Sequence, residues 1–238
     1  MIPVRRPLVQ ELLPPYAVGA ETRADAPDEV LHPEERAAVA GVSEGRRREF
    51  ATVRGCARRA LTTLGHAPVP LVPDPRGVPC WPAGVVGSMT HCRGYRAAVV
   101  AWRRDVRALG VDAEPSLPLR EGVLRTVSRP EERERIAFLQ AEHPHVACWD
   151  RLLFCAKEAV FKAWFPRTRR ELGFRDVVVA FGGAGRTFRA TVVTAEGPGE
   201  GRDLDFAEGR GDGRDFDGRW VARDGLLVAV AFAGATDR

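Results

Sequence analysis

Lysine is nearly missing from this 238-residue chain: of 36 basic residues, all but Lys157 and Lys162 are arginine. Cysteine is scarce too, five residues at irregular spacing with no C-x-x-C, which excludes a disulfide framework and points to a reducing compartment. No apolar run is long enough to span a bilayer; the longest, Leu226 to Ala235, holds one glycine and is far too short. The start, Met1-Ile-Pro-Val-Arg-Arg-Pro, lacks the apolar core of a signal peptide. A cytoplasmic location with no membrane partner is the expectation. The nucleotide and hydrolase signatures G-x-x-x-x-G-K-[ST], G-x-G-x-x-G after a strand and G-x-S-x-G are absent as well.

What is present is a soluble composition, 45% hydrophobic and 29% charged, with a formal charge of +4. That charge suits an anionic partner: nucleic acid, a phosphorylated cofactor or an acidic protein. A basic stretch, Arg46 to Arg59, invites the nucleic-acid reading. Aromatics, however, are only 8% and no RNA or DNA module is legible. No nucleic acid is therefore expected as a partner.

Periodicity predicts a helix over 33–65, interrupted near Gly41 and Gly45, then a Pro/Gly-rich loop over 66–84. Strands are predicted at 97–102 and 108–113, helices at 130–141 and 146–164, and strands at 177–181, 188–193, 220–223 and 226–232. Arg223-Asp-Gly should turn the last two into a hairpin. Glu196 to Gly218 reads as an exposed loop; its acids lack the alternation of an EF-hand. Each half mixes helix with strand. The expectation is an α+β fold of two lobes, 1–109 and 110–238, with the cofactor cleft between them.

Chemistry concentrates in two segments. Asp112 and Glu114 alternate on a strand and share a face. Glu158 and Lys162, four apart on a helix, share another, with Lys157 expected at its rim. Alone, the first pair is a solvated strand end before Pro115. Alone, the second is an ordinary helix ion pair, worth about 0.3–0.5 kcal/mol. Brought together they would supply three carboxylates and two ammoniums, a set suited to Mg²⁺ beside phosphate. The group His143, His145 and Cys148 is a poor zinc site, with one thiol in a loop. His91 reads either as a local cap or, with Thr90, as a phosphate contact.

Gly110-Val-Asp-Ala-Glu, followed by Trp149-Asp-Arg-Leu-Leu-Phe-Cys-Ala-Lys-Glu-Ala-Val-Phe-Lys, resembles the two signature motifs of the Sfp-type 4′-phosphopantetheinyl transferases. Val86-Gly-Ser-Met-Thr-His-Cys resembles their histidine motif. Arg46 to Arg59 with Gly77-Val-Pro-Cys-Trp resembles the cofactor-binding region upstream, most closely in the PptT-like branch. The resemblance covers about residues 30–175 and fades after about 180. It implies two pseudo-symmetric α+β lobes, a monomer, and transfer of phosphopantetheine from coenzyme A to a serine of apo acyl or peptidyl carrier proteins. Such carriers serve fatty-acid, polyketide and non-ribosomal peptide synthesis.

By the same resemblance, Asp112, Glu114 and Glu158 hold Mg²⁺, with Mn²⁺ as an alternative. Lys157, Lys162, His91 and Thr90 contact phosphates, and Lys162 assists the leaving phosphate. Glu158 or a water on it takes the serine proton. Arg46 and Arg54 grip the 3′-phosphate, and Arg76 lies near the adenine. The loop before Gly77 departs from the family, offering Arg76 where relatives often carry lysine. Two further readings stay open at this point: another Mg²⁺-dependent phosphotransferase or nucleotidase, and a homologue that binds coenzyme A without chemistry.

Overall fold

The computed structural model describes residues 7–26, 30–182, 185–193 and 214–234. Residues 1–6 and residues 196–213 of the predicted loop lie outside the described residues; 215–218, expected as the end of that loop, form the start of a strand instead. The chain forms two sheets, each backed by one long helix.

The first unit opens with a short helix, α1 (Leu8–Leu12), and strand β1 (Ala17–Thr22). A single turn of helix, α2 (Pro33–Arg36), leads through a 3₁₀ turn to the long helix α3 (Glu44–Leu64). Ser43 caps α3 by accepting from the Arg46 amide. Gly65, at φ 90°, ends it in the left-handed conformation that glycine tolerates. The predicted break at Gly45 does not occur; the chain breaks earlier, around Gly41. Strands β2 (Val85–Cys92) and β3 (Tyr95–Trp102) form a hairpin, and the sheet order is β1-β3-β2.

The second unit begins with β4 (Val106–Pro115). Helices α4 (Val123–Val127), α5 (Pro130–Glu142) and α6 (Trp149–Thr168) follow. Strands β5 (Val177–Phe181), β6 (Thr187–Val192), β7 (Asp215–Arg223) and β8 (Leu226–Gly234) complete a sheet of order β4-β8-β7-β6-β5. The β7–β8 turn uses Asp224 and Gly225 at φ 55° and 74°, the twin positive φ of a type I′ hairpin, as the sequence predicted. In both units the first strand precedes the long helix and then pairs antiparallel with the last strand, β1 with β3 and β4 with β8. The fold is α+β. The expected lobe boundary at 109/110 falls inside β4, and the chain changes sheet earlier, in the turn at 103–105.

Three apolar cores hold these layers. One lies between α3 and the small sheet, one between the two sheets, and one between α6 and the large sheet. The sheets also meet along an edge. β4 is an edge strand, and its outward amides at Val111 and Ala113 donate to the hydroxyls of Ser88 and Thr90, both at 3.1 Å. Side chains of β2 thus close an edge that would otherwise present unpaired donors. The histidine-motif strand is thereby locked against the strand carrying Asp112 and Glu114.

Candidate active site

Gly110 sets the depth of the site. A Cβ at this position would lie 2.0 Å from the Ala159 carbonyl and 2.7 Å from the Ala163 nitrogen. Only glycine lets β4 press onto the backbone of α6 so closely. That contact brings the Asp112 strand face against the helix stripe that carries Arg151, Cys155, Glu158 and Lys162. These four share one side because about 3.6 residues complete a helical turn.

At the centre, Lys162 Nζ lies 2.6 Å from Asp112 Oδ1 and 3.4 Å from the Thr90 hydroxyl. Thr90 donates to the same Asp112 oxygen at 3.1 Å. The other oxygen, Asp112 Oδ2, is buried and has no hydrogen-bond partner. A buried acceptor left unpaired is costly, on the order of 1–3 kcal/mol. Glu114 Oε2 accepts from Arg151 at 2.9 Å.

Burial, then the Asp112 charge, pushes the carboxyls of Glu114 and Glu158 above their ordinary range, with Arg151 and Lys162 working against this. For Lys162, burial opposes the charge, but Asp112 and Glu158 outweigh it and raise the ammonium. The strand end and the helix face therefore meet, at Lys162 and Asp112.

The Asp112 charge acts on both Glu114 and Glu158, one Asp112 oxygen is buried without a partner, and all three side chains present the hard oxygen donors that Mg²⁺ takes. Among the described residues no three His, Cys, Asp or Glu side chains already form a metal cage. Lys162 engages Asp112 and Arg151 engages Glu114 instead. The donor set fits a divalent cation.

A pH test follows. A carboxyl whose folded pKa is raised favours folding at low pH and disfavours it once pH climbs past the unfolded value. Without metal, Glu158→Gln should therefore raise the melting temperature at pH 7 and change it little near pH 4. Equal shifts at both pH values in thermal melts would mean that Glu158 carries no such penalty.

Lys157 is the correction. It is 1% exposed, its Nζ lies 2.6 Å from Glu132, and it donates to the Phe174 carbonyl at 2.8 Å. Glu132 in turn accepts from the Arg129 and Val179 amides, tying α5 to β5. One residue along a helix turns the side chain by about 100°, which takes Lys157 off the Glu158 face and into the α5 packing. It does not reach the three carboxylates or the surface that a phosphate would approach.

The expected pairing of Thr90 with His91 is split by strand alternation. Thr90 faces Asp112, whereas His91 faces α3. There its Nε2 meets the Arg46 guanidinium and lies 3.6 Å from Glu49. Burial, then Arg46, lowers the His91 pKa; Glu49 opposes them, and Lys162 and Arg96 lower it further. Arg46 has 48% of its side chain exposed. Arg54 is 5% exposed, donates to the Leu71 carbonyl at 2.9 Å and lies 3.8 Å from Glu35. Burial lowers its pKa to about 10. Arg76 pairs with Glu171, donates to the Arg169 carbonyl at 3.1 Å and stacks on Phe165.

Sequence reasoning missed Arg151, Glu49 and Glu132. Arg151 lies seven residues before Glu158, so helical period alone could have found it. Glu49 and Glu132 have local contacts, with the Arg46 guanidinium and the Arg129 amide, but nothing local points to His91 and Lys157, which lie 42 and 25 residues away.

Known proteins decide the family. The profile described as 4′-phosphopantetheinyl transferase N-terminal domain matches residues 34–101, and that of the 4′-phosphopantetheinyl transferase superfamily matches 108–201. The chain is 50% identical over 230 residues to 4′-phosphopantetheinyl transferase Svp of Streptomyces mobaraensis, covering 95% of this chain and 89% of Svp. It belongs to the 4′-phosphopantetheinyl transferase superfamily, Sfp-type and PptT-like.

Two other relatives agree. 4′-phosphopantetheinyl transferase PptT of Mycobacterium tuberculosis is 51% identical over 162 residues, 68% of this chain and 70% of PptT. 4′-phosphopantetheinyl transferase Npt of Nocardia iowensis is 43% identical over 235 residues, 95% of this chain and all of Npt. The protein is a phosphopantetheinyl transferase that uses coenzyme A as substrate. No helix of the described residues is long and apolar enough to cross a membrane.

Proposed function

We propose that Asp112, Glu114 and Glu158 hold a divalent cation against the diphosphate of coenzyme A while a carrier-protein serine attacks it. The observation that carries this reading is the buried, partnerless Asp112 Oδ2 beside Lys162. A bound Mg²⁺ supplies charge neutralisation of the diphosphate.

The chain's own groups do the rest. Glu158, its carboxyl raised above the ordinary range by burial and by Asp112, is the candidate base. It accepts the serine proton directly or through a water. The serine oxygen bonds to the β-phosphorus, and the bond from that phosphorus to the bridging oxygen breaks. Adenosine 3′,5′-bisphosphate leaves, and phosphopantetheine stays on the serine. Lys162, with 29% of its side chain exposed and already beside Asp112, stabilises the leaving oxygen as an adjustable point charge. Thr90 orients Asp112 and Lys162 together.

Arg46, half-exposed and in contact with His91, is the 3′-phosphate end of this reading, with Arg54 buried behind it on the same helix. Arg76, stacked on Phe165, is the candidate for the adenine end. The protein acts as a monomer in the cytoplasm, and its net positive charge speeds encounter with acidic carriers. Intact-mass analysis of apo carrier proteins incubated with coenzyme A, Mg²⁺ and the enzyme tests the reading. The expected result is a gain of one phosphopantetheine, abolished by chelation; turnover surviving exhaustive chelation would overturn the metal role.

The 3′-phosphate end has its own check. Arg46→Ala should raise KM for coenzyme A about tenfold, because a charge-assisted contact at a half-exposed site is lost. KM for dephospho-coenzyme A should stay unchanged. Equal effects on both substrates would place Arg46 elsewhere.

A further inference from the structure

Arg151 uses its whole guanidinium. Nη1 binds Glu114 Oε2 at 2.9 Å, Nε donates to the Leu117 carbonyl at 3.1 Å, and Nη2 donates to the Pro118 carbonyl at 3.0 Å. Two of these three partners are backbone groups of the loop that follows β4. The neighbouring Asp150 fixes the same loop, accepting from the Leu119 amide at 2.8 Å and from the Arg151 amide at 2.7 Å. The first turn of α6 thus holds the guanidinium in place whether or not Glu114 is present. The dependence runs one way. Arg151 is anchored by carbonyls, and Glu114 is oriented by Arg151.

We infer that Arg151 is a positioning residue for the divalent-cation site, holding Glu114 by one oxygen so that the other faces Asp112. The inference rests on the assignment of Glu114 as a metal ligand. A flexible glutamate at a strand end has several rotamers, and only some aim a carboxylate oxygen at Asp112. A planar fork clamped at both its other nitrogens selects among them, which a lysine ammonium cannot do. The partners of metal-binding carboxylates act in this way generally, and losing one lowers metal affinity about 10- to 100-fold. The opposite role is also physically definite: a cation beside a ligand competes with the metal. The two roles predict opposite signs.

The experiment is a Mn²⁺ titration of the full chain with coenzyme A present and no carrier protein, so that nothing turns over. Free Mn²⁺ is read by electron paramagnetic resonance. Arg151→Met should bind Mn²⁺ about 10- to 100-fold more weakly than the parent, and Arg151→Lys, which keeps the charge but not the fork, should fall between them. Thermal melts of both variants confirm that folded protein is being titrated. Should Arg151→Met fail to fold, Arg151→Lys alone decides, since a structural role would lower its melting temperature and leave its Mn²⁺ affinity at the parent value. Affinity equal to or tighter than the parent's overturns the inference and makes Arg151 a spacer or a competitor. A parent protein that binds no Mn²⁺ overturns the metal assignment itself.

Discussion

Asp112→Asn is expected to lower carrier-protein modification by about 10²- to 10³-fold, the scale seen when one preorganised charge contact is removed from a transition state. The substitution is nearly isosteric. Its retained oxygen can still accept from Lys162 and Thr90, as Asp112 Oδ1 does now. What changes is the partnerless buried atom, which becomes an amide nitrogen with hydrogens aimed where a cation belongs.

Stability should move far less than activity. Asn gives up the attraction of Lys162 but also relieves the repulsion that raises Glu114 and Glu158. Asp112→Ala would be a poorer test. Asp112 is 5% exposed and sits within β4 opposite Ala229, so truncation would strip partners from Lys162 and Thr90 at once. Intact-mass rates beside thermal melts separate the two effects. An Asn variant that retains parent turnover would remove Asp112 from the chemistry, and with it the metal reading.

The sequence made the chemistry legible because both motifs have short periods. Alternation on β4 put Asp112 and Glu114 on one face, and the four-residue step put Lys162 beside Glu158. The apolar side of α6, Trp149, Leu153, Ala156, Val160 and Trp164, is buried. Strands β5 and β8 were legible as apolar runs, β6 by its alternation and the final hairpin by its turn residues, although β7 starts at Asp215, five residues before the predicted strand. Two strands were not. β2 runs Val-Val-Gly-Ser-Met-Thr-His-Cys, and its polar side chains leave no apolar run to read. They are polar because Ser88 and Thr90 serve the amides of β4, a demand set by the other sheet. β1 likewise carries Gly19 and Glu21, placed to meet α1: the Gln10 amide oxygen accepts from the Gly19 amide, and Glu21 accepts from the Val9 amide. Neither contact leaves a local pattern.

Lys157 shows the same limit from the other side. Two lysines five residues apart invite a shared role, yet five helical steps leave them about 140° apart. Lys157→Met is accordingly expected to destabilise the fold by about 3–5 kcal/mol, because it strands the Glu132 carboxylate without its cation. For a chain of this size that is a drop in melting temperature of about 6–20 °C. Glu132 would keep its two amide donors, from Arg129 and Val179, which places the loss below that of an isolated buried charge.

Adding Glu132→Gln to Lys157→Met should restore part of the stability, since a neutral amide there no longer needs an ammonium. The folded fraction of Lys157→Met should turn over at close to the parent rate at 20 °C. Lys162→Met should lose far more turnover and less stability, because its side chain is 29% exposed and solvent can reach the Asp112 oxygen it leaves. Measured together, melts and intact-mass rates assign one lysine to each task. If Lys157→Met keeps its melting temperature and loses its rate, the ammonium must leave Glu132 for the phosphates during turnover. The chain would then have two lysines for one purpose after all.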